Sequence, residues 1–160
     1  MRTLLKQLIT TTAVAAALTL VATSAHAQKQ AGAKAGAKAL TWGPAPDAFP
    51  AGAKMAVESG NPMASGVFVV RLSFPAGYKI PPHFHPTDEH VQVHSGTFLV
   101  GMGDVLDAKK AMKLAANDTG TIKATMHHFA IASTPVVLSI RAEGPFAMTY
   151  VKASDDPRKK

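Results

Sequence analysis

The chain has 160 residues, a formal net charge of +7 at pH 7, 47% hydrophobic residues and no cysteine. This length suits a single domain, and the lack of cysteine excludes disulfides, thiolate catalysis and thiolate metal ligands. The basic residues are concentrated at the two ends rather than in one stripe with aromatic residues, so the charge does not indicate nucleic-acid binding.

The first 27 residues predict a secretory signal peptide. Arg2 and Lys6 precede an apolar run over residues 8–21, which is followed by the small-residue cleavage pattern AHA at 25–27. The alternative is a membrane anchor, but threonines interrupt the run, and it is shorter than the roughly 20 apolar residues that a spanning helix needs. We therefore expect cleavage at the end of this pattern, no membrane span in the mature chain, and a periplasmic or secreted location.

The residues that follow the predicted cleavage point form a linker. Residues 28–39 are only Ala, Gly, Lys and Gln and have no hydrophobic period, which predicts disorder. The composition then changes, because Trp42 and Phe49 stand among Pro and Gly residues. We expect one domain over 40–152 and a polar, flexible tail over 153–160.

Short runs rich in β-branched and aromatic residues alternate with turn residues through the second half of the chain. This pattern predicts an all-β fold, either an antiparallel sandwich or a barrel. Ser95 and Gly96 predict a hairpin turn, because glycine accepts the positive φ of tight turns. Only residues 105–115 have a helical pattern, and they are too few to organise the fold. The predicted strands are 66–74, 89–103, 119–124, 127–133, 136–144 and 145–152.

The stretch PPHFHPTDEH, residues 81–90, concentrates potential metal ligands. In a strand, His83 and His85 would face the same side, because side chains alternate with a period of two. The turn at 86–88 would bring the carboxylate of Glu89 back towards these two imidazoles. Two His and one carboxylate on one face are the donor set of a facial metal site. Each histidine taken alone is better explained as solvated or hydrogen-bonded, but the three residues at this spacing favour the metal site.

The spacing of these residues resembles the first conserved motif of the cupin superfamily, G-x5-H-x-H-x3-4-E-x6-G. Five residues occupy its fixed positions, namely Gly77, His83, His85, Glu89 and Gly96.

The stretch GTIKATMHHF, which begins at Gly120, resembles the second cupin motif, G-x5-P-x-G-x2-H-x3-N. Lys123 stands at the proline position and Thr125 at the glycine position, but only two residues separate Gly120 from Lys123 where the motif has five. Alignment on P-x-G-x2-H places His128 at the ligand position and His127 on the opposite face, since alternation allows only one of them to point inward. The resemblance therefore implies a metal site made of His83, His85, Glu89 and His128, with His127 as the alternative to His128 as fourth ligand.

The resemblance implies that residues 40–152 form a single cupin domain, a double-stranded β-helix or jelly-roll barrel with the metal inside. One divalent ion is expected, which could be Mn, Fe, Ni, Cu or Zn, because imidazole and carboxylate do not discriminate strongly among them.

The expected function is that of an exported, metal-dependent oxidoreductase of the dioxygenase type. It would act on a small, oxygen-rich substrate, with Glu89 as both ligand and catalytic residue. The alternative is a noncatalytic module that binds a metal or a small molecule, as a sensor or scavenger. A structural protein with an empty barrel would make the four-residue constellation a coincidence. A homodimer is expected, because members of this family commonly dimerise.

Other polar residues beside the motif have simpler interpretations. If Glu89 faces inward, Val91 shares its face, so His90 and His94 are expected on the surface or in a dimer interface. Asp88 is expected to form the turn, with the orientation of a metal ligand as its alternative role.

Overall fold

The computed structural model describes residues 39–160. The predicted signal peptide, and all but the last residue of the predicted linker, lie outside the described residues, so cleavage, export and disorder stay predictions. Among the described residues, no helix is both long enough and apolar enough to cross a membrane.

Eleven strands and three short 3-10 turns make up the described domain. The turns are Ala108–Lys110, Ala153–Asp155 and Pro157–Lys159. The strands are β1 (Gly43–Pro44), β2 (Lys54–Ser59), β3 (Gly66–Phe74), β4 (Lys79–Phe84), β5 (Glu89–Ser95), β6 (Phe98–Met102), β7 (Met112–Leu114), β8 (Thr119–Ile122), β9 (His128–Ala132), β10 (Val136–Gly144) and β11 (Thr149–Tyr150).

The strands form two antiparallel sheets around one hydrophobic core. One sheet has the order β1-β2-β3-β10-β5-β8, and the other has the order β11-β4-β9-β6-β7. Alternation sets the core, because every second residue of β3 from Phe68 to Phe74 is buried and the residues between them are partly exposed. β9 is buried along its whole length, as expected for the central strand of its sheet. The all-β fold class is therefore confirmed.

The strand predictions are accurate where the hydrophobic pattern is strong. β3 and β10 have the predicted bounds, 66–74 and 136–144, and β8 and β9 lie within their predicted segments. β2 was not predicted, because the sequence KMAVES of Lys54–Ser59 has only three apolar residues, which stand side by side and do not alternate with polar ones.

The predicted hairpin at Ser95 and Gly96 is wrong. β5 pairs with β10 and β8 in the six-stranded sheet, whereas β6 pairs with β9 and β7 in the five-stranded sheet. Gly96 does have a positive φ, +85°, but its turn carries the chain from one sheet to the other. A tight turn between two apolar runs has the same sequence pattern in both cases, so partners that are distant in sequence decide the pairing.

Two further segments differ from the sequence predictions. Residues 105–115 contain one 3-10 turn followed by β7, an edge strand paired with β6, so the helical pattern does not produce an α-helix. Residues 145–152 contain only the two-residue strand β11. The reason is that Phe146 donates its N–H to the carbonyl oxygen of Pro62, at 2.6 Å, in a loop rather than to a strand partner.

The C-terminal residues, which composition predicts to be a flexible tail, contact the domain through Arg158. Its guanidinium donates to both carboxylate oxygens of Asp156, at 2.8 and 2.9 Å, and to the carbonyl oxygen of Met148 at 2.9 Å. Asp156 also accepts a hydrogen bond from the Arg158 backbone N–H. These bonds hold residues 153–160, in two 3-10 turns, against the segment that leads into β11.

Candidate metal centre

Three buried histidine side chains converge beside the core. His83 on β4 and His128 on β9 are directly paired across the sheet, and their ring centroids are 4.1 Å apart. His85, just after β4, has its ring centroid 5.0 Å from that of His83 and 5.3 Å from that of His128. One nitrogen from each ring lies within 4.8 Å of the others. The structure therefore brings together three of the four predicted ligands.

Backbone carbonyl groups fix the orientation and the tautomer of each ring. A carbonyl oxygen only accepts, so each Nδ1 must donate, and a neutral imidazole then keeps its lone pair on Nε2, the atom available to a metal. The Nδ1 atom of His83 donates to Pro81 at 2.8 Å, that of His85 to Ala147 at 2.7 Å, and that of His128 to Met126 at 3.0 Å.

The Nε2 atom of His85 provides a test of whether the site suits a metal ion. This atom is buried and has no hydrogen-bond partner among residues 39–160. A buried polar atom without a partner costs free energy, so native structures rarely leave one. A divalent ion bound to Nε2 would supply the missing partner. The residues present therefore fit a metal ion.

Glu89 is the first residue of β5, and its carboxylate faces the same nitrogens. Oε2 lies 3.4 Å from Nε2 of His128 and 3.8 Å from Nε2 of His85, and the side chain is 13% exposed. The turn over 86–88 brings β5 back alongside the end of β4, as the spacing predicted. The four predicted residues thus present three imidazole nitrogens and one carboxylate oxygen to a common space.

The electrostatics of the site favour the protonation states that metals bind. Burial, together with repulsion from His128 and His85, lowers the pKa of His83 to about 3, so this imidazole is neutral at ordinary pH. Burial raises the pKa of the Glu89 carboxyl, but the interactions with His128 and with the two other histidines outweigh it and lower this pKa to about 2, so the carboxylate is ionised at ordinary pH. Neutral imidazole and ionised carboxylate are the ligand forms that need no further loss of a proton.

His127, the alternative to His128 as the fourth ligand, points away from the site. Its side chain is 39% exposed, its Nδ1 lies 2.5 Å from Oδ1 of Asp104, and its ring stacks on Phe84. The alternation argument that favoured His128 over His127 agrees with these positions. Binding of an ion by the inward set stays a prediction.

The remaining histidines of the motif region lie on the outer face. Val91 and Val93 are buried on the side of Glu89, as predicted, while His90 is exposed. His94 is partly exposed, and its Nε2 lies 2.6 Å from Oγ of Ser139.

The turn before β9 is tied to the turn before β5. Thr125, at the glycine position of the second motif, has a φ of +63°, a conformation rare for β-branched residues, which explains why glycine suits this position. Its N–H donates to the carbonyl oxygen of His85 at 2.8 Å. Asp88 accepts hydrogen bonds from the Ala124 N–H and from Nζ of Lys123, each at 2.8 Å. Asp88 therefore forms the turn and also holds the segment that leads to His128.

We expect Asp88→Ala to lower the free energy of unfolding by about 1–2 kcal/mol, because the partly buried Ala124 N–H loses its acceptor. Metal affinity should fall by about tenfold, since the segment before His128 loses its anchor. Urea unfolding and competition titration with a chelator measure the two effects. Asp104→Ala, which removes an exposed carboxylate that contacts only the outward His127, is the matched control. Equal effects of the two substitutions would contradict the anchoring role.

Two cavities adjoin the four residues. One, of about 20 Å³, contacts His83, Glu89 and His128 and is otherwise lined by apolar core residues. It has room for about one water molecule. The other, of about 350 Å³, reaches Glu89 and includes Phe146, whose ring centroid is 5.3 Å from that of His85. The sequence places Phe146 among the aromatic residues of the barrel core but does not single it out as the one that lines the pocket.

No family model and no curated protein matches the chain, but solved structures do. The polyketide cyclase RemF from Streptomyces resistomycificus has a TM-score of 0.63 at 13% identity, over 77% of this chain and 87% of that one. An RmlC-like cupin from Shewanella frigidimarina has a TM-score of 0.50 at 21% identity, over 59% and 78% of the two chains. Oxalate oxidase has a TM-score of 0.50 at 23% identity, over 68% of this chain and 60% of that one.

These identities are low, so the likeness concerns the fold. Both sheets are antiparallel, consecutive strands switch between them from β3 to β6 and from β7 to β11, and His83 of β4 and His85 just after it meet His128 of β9. The described part of the chain therefore has the cupin fold, a jelly-roll barrel, as the resemblance of its motifs implied.

Proposed function

We propose that the protein binds one divalent metal ion and acts as a metal-dependent oxidoreductase of the dioxygenase type on a small, oxygen-rich substrate. The observation that supports this proposal most directly is the convergence of three oriented imidazole rings with a carboxylate oxygen, together with the buried Nε2 of His85, which has no hydrogen-bond partner among residues 39–160. Mn, Fe, Ni, Cu and Zn all suit this donor set. The ligands proposed are His83, His85, His128 and Glu89.

The chain's own residues would prepare the site for chemistry. When bound, a divalent ion supplies Lewis acidity, and a redox-active one also supplies electrons for O₂ chemistry. The three carbonyl oxygens that accept from the Nδ1 atoms keep the imidazoles in place, so little reorganisation is needed on binding. One carboxylate among neutral imidazoles leaves a net charge of +1 with a divalent ion, which favours an anionic substrate oxygen.

Glu89 is proposed as the catalytic residue because of its position between the two cavities. It lines both the small cavity beside the histidines and the larger pocket. A substrate that enters from the pocket therefore meets this carboxylate first, and the carboxylate can accept a hydrogen bond from a substrate hydroxyl and so orient the substrate. The apolar lining around it excludes water from the reacting groups.

A noncatalytic function is the second candidate. The cavity beside the histidines has only about 20 Å³, which leaves little space for a substrate next to the ion. A protein that only binds a metal or a small molecule, as a sensor or scavenger, would need no more space than this.

Both candidates are proposed for an exported protein, on the basis of its N-terminal sequence pattern, and for a homodimer. Light scattering that finds the mass of a single chain would overturn the dimer.

The experiment that separates the two candidates compares the wild type with Glu89→Gln, each loaded with Fe, Mn, Ni or Cu. Glutamine keeps the size of the side chain but lacks the negative charge of the carboxylate. We expect O₂ consumption with catechol as the probe substrate, and a loss of roughly 100-fold in the variant with the metal retained. Consumption that is equal in both proteins would overturn the role of Glu89. Tight probe binding without turnover would favour the binding module.

A further inference from the structure

The larger pocket beside the metal centre is almost wholly apolar. It has a volume of about 350 Å³, within the range of small-molecule sites, and Asn61 and Glu89 are the only polar residues that line it. Its walls include Phe68 and Val70 of β3, both buried, and Phe146. A small, fully polar molecule would gain nothing from such walls, because it would lose its hydration without new hydrogen bonds.

A well-defined loop forms one side of this pocket. The backbone N–H of Met63 donates to Oδ1 of Asn61 at 2.9 Å, and the carbonyl oxygen of Pro62 accepts from the N–H of Phe146 at 2.6 Å. Gly60, with a φ of +70°, packs so closely on Phe68 that a Cβ at this position would collide with its backbone. The loop and the segment after β10 therefore hold each other in place around the opening.

The rim and the end of the pocket differ in polarity. Two apolar residues at the rim are exposed, Val57 by 45% and Met63 by 76%. The charged end is Glu89, which the pocket shares with the small cavity beside the histidines. An occupant would therefore place an apolar part along the walls and a polar end at the metal centre.

We propose that this pocket binds the apolar body of an amphiphilic substrate whose oxygen-bearing head group reaches the metal centre. The substrate class is a medium-chain or aromatic compound with a carbonyl, hydroxyl or carboxyl group at one end. The assignment of the head group rests on the proposed metal site, whereas binding of the apolar body does not. The linker of this chain is a poor occupant, because residues 28–39 contain no apolar side chain larger than alanine.

The apolar part is tested on metal-free protein with the neutral fluorophore 1-aminoanthracene. We expect saturable binding with blue-shifted emission. Val57→Asp and Met63→Asp should each weaken this binding by about tenfold, because a charge at the rim must lose hydration when the ligand covers it. The matched controls are Val105→Asp and Met112→Asp, at residues that are 69% and 57% exposed and do not line the pocket. Absence of binding, or equal effects of rim and control variants, would overturn the inference.

The head group is tested with two hydroxamates on protein loaded with a divalent ion. Acetohydroxamate and octanohydroxamate have the same metal-binding oxygens and differ by six methylene groups. Each buried methylene should improve affinity by up to about fourfold, so we expect octanohydroxamate to bind at least roughly 100-fold more tightly. Val57→Asp and Met63→Asp should reduce this preference. Affinities within threefold of each other would overturn the inference.

The metal content and the oligomeric mass of the protein, measured on the same samples, distinguish failure of the apolar pocket from failure of the proposed metal function. Fluorophore binding that is lost only in the rim variants, in protein that takes up no metal, would support the apolar pocket and overturn the proposed metal function. Metal uptake without fluorophore binding would support the proposed metal site and overturn the apolar pocket. A dimer that excludes the fluorophore, and that the rim variants convert to a monomer, would show that a second copy covers the pocket and would overturn the inference.

Discussion

Replacing His128 by alanine is expected to reduce the affinity for a divalent ion by at least roughly 100-fold. Loss of a residue that only orients a metal ligand costs up to about that factor, and loss of the ligand itself should cost no less. The reason is that one ring nitrogen of His128 lies within 4.8 Å of a ring nitrogen of His83 and of His85, and that its Nε2 lies 3.4 Å from Oε2 of Glu89. Competition titration of Co²⁺ or Zn²⁺ against a chromophoric chelator measures the affinity.

His127→Ala is the matched control, because it removes the neighbouring histidine of the same sequence motif. This side chain points away from the site and contacts Asp104 and Phe84 instead. We expect its removal to leave metal affinity unchanged. Equal losses in both variants, or a loss only in His127→Ala, would show that the ion is held elsewhere.

Gly96→Ala is expected to lower the free energy of unfolding by about 3–5 kcal/mol, since it combines overpacking with a backbone conformation unfavourable to alanine. Gly96 has a φ of +85° where the chain passes from β5 to β6. A Cβ there would collide with the carbonyl oxygen of Pro135 and lie 3.0 Å from Oγ1 of Thr134. Urea unfolding of the metal-free protein measures the loss.

Gly77→Ala is the matched control for this prediction. Gly77 has a similar φ of +77°, but no atom lies within 4 Å of an added Cβ, so only the backbone preference remains. We expect a cost of about 1–2 kcal/mol, the penalty for a left-handed conformation. A cost for Gly96→Ala no larger than that for Gly77→Ala would show that the link between the sheets tolerates the side chain.

The candidate site was accessible to sequence reasoning because its geometry is local. The period of two along a strand places His83 and His85 on one face, and a short turn returns Glu89 to them. The same alternation decides between His127 and His128. The glycines of the first motif, Gly77 and Gly96, both have positive φ, which gives a conformational reason for glycine at these positions.

The features that the sequence did not reveal depend on contacts between residues far apart in the chain. Whether β5 and β6 form a hairpin depends on competition from β10 and β9, not on the turn between them. Phe146 leaves its strand pattern because its N–H binds the carbonyl oxygen of Pro62. The apolar pocket combines residues of β2, β3, β5 and β10 with residues of three loops, and none of these segments alone has a pattern that indicates a cavity.

Metal content of the wild-type protein tests the central claim most directly. The mature protein should be purified without chelators and analysed by inductively coupled plasma mass spectrometry, beside His83→Ala and His128→Ala. We expect about one Mn, Fe, Ni, Cu or Zn ion per chain in the wild type and essentially none in either variant. A wild-type protein that contains no ion, and takes up none when supplied with each of these metals, would contradict the metal centre.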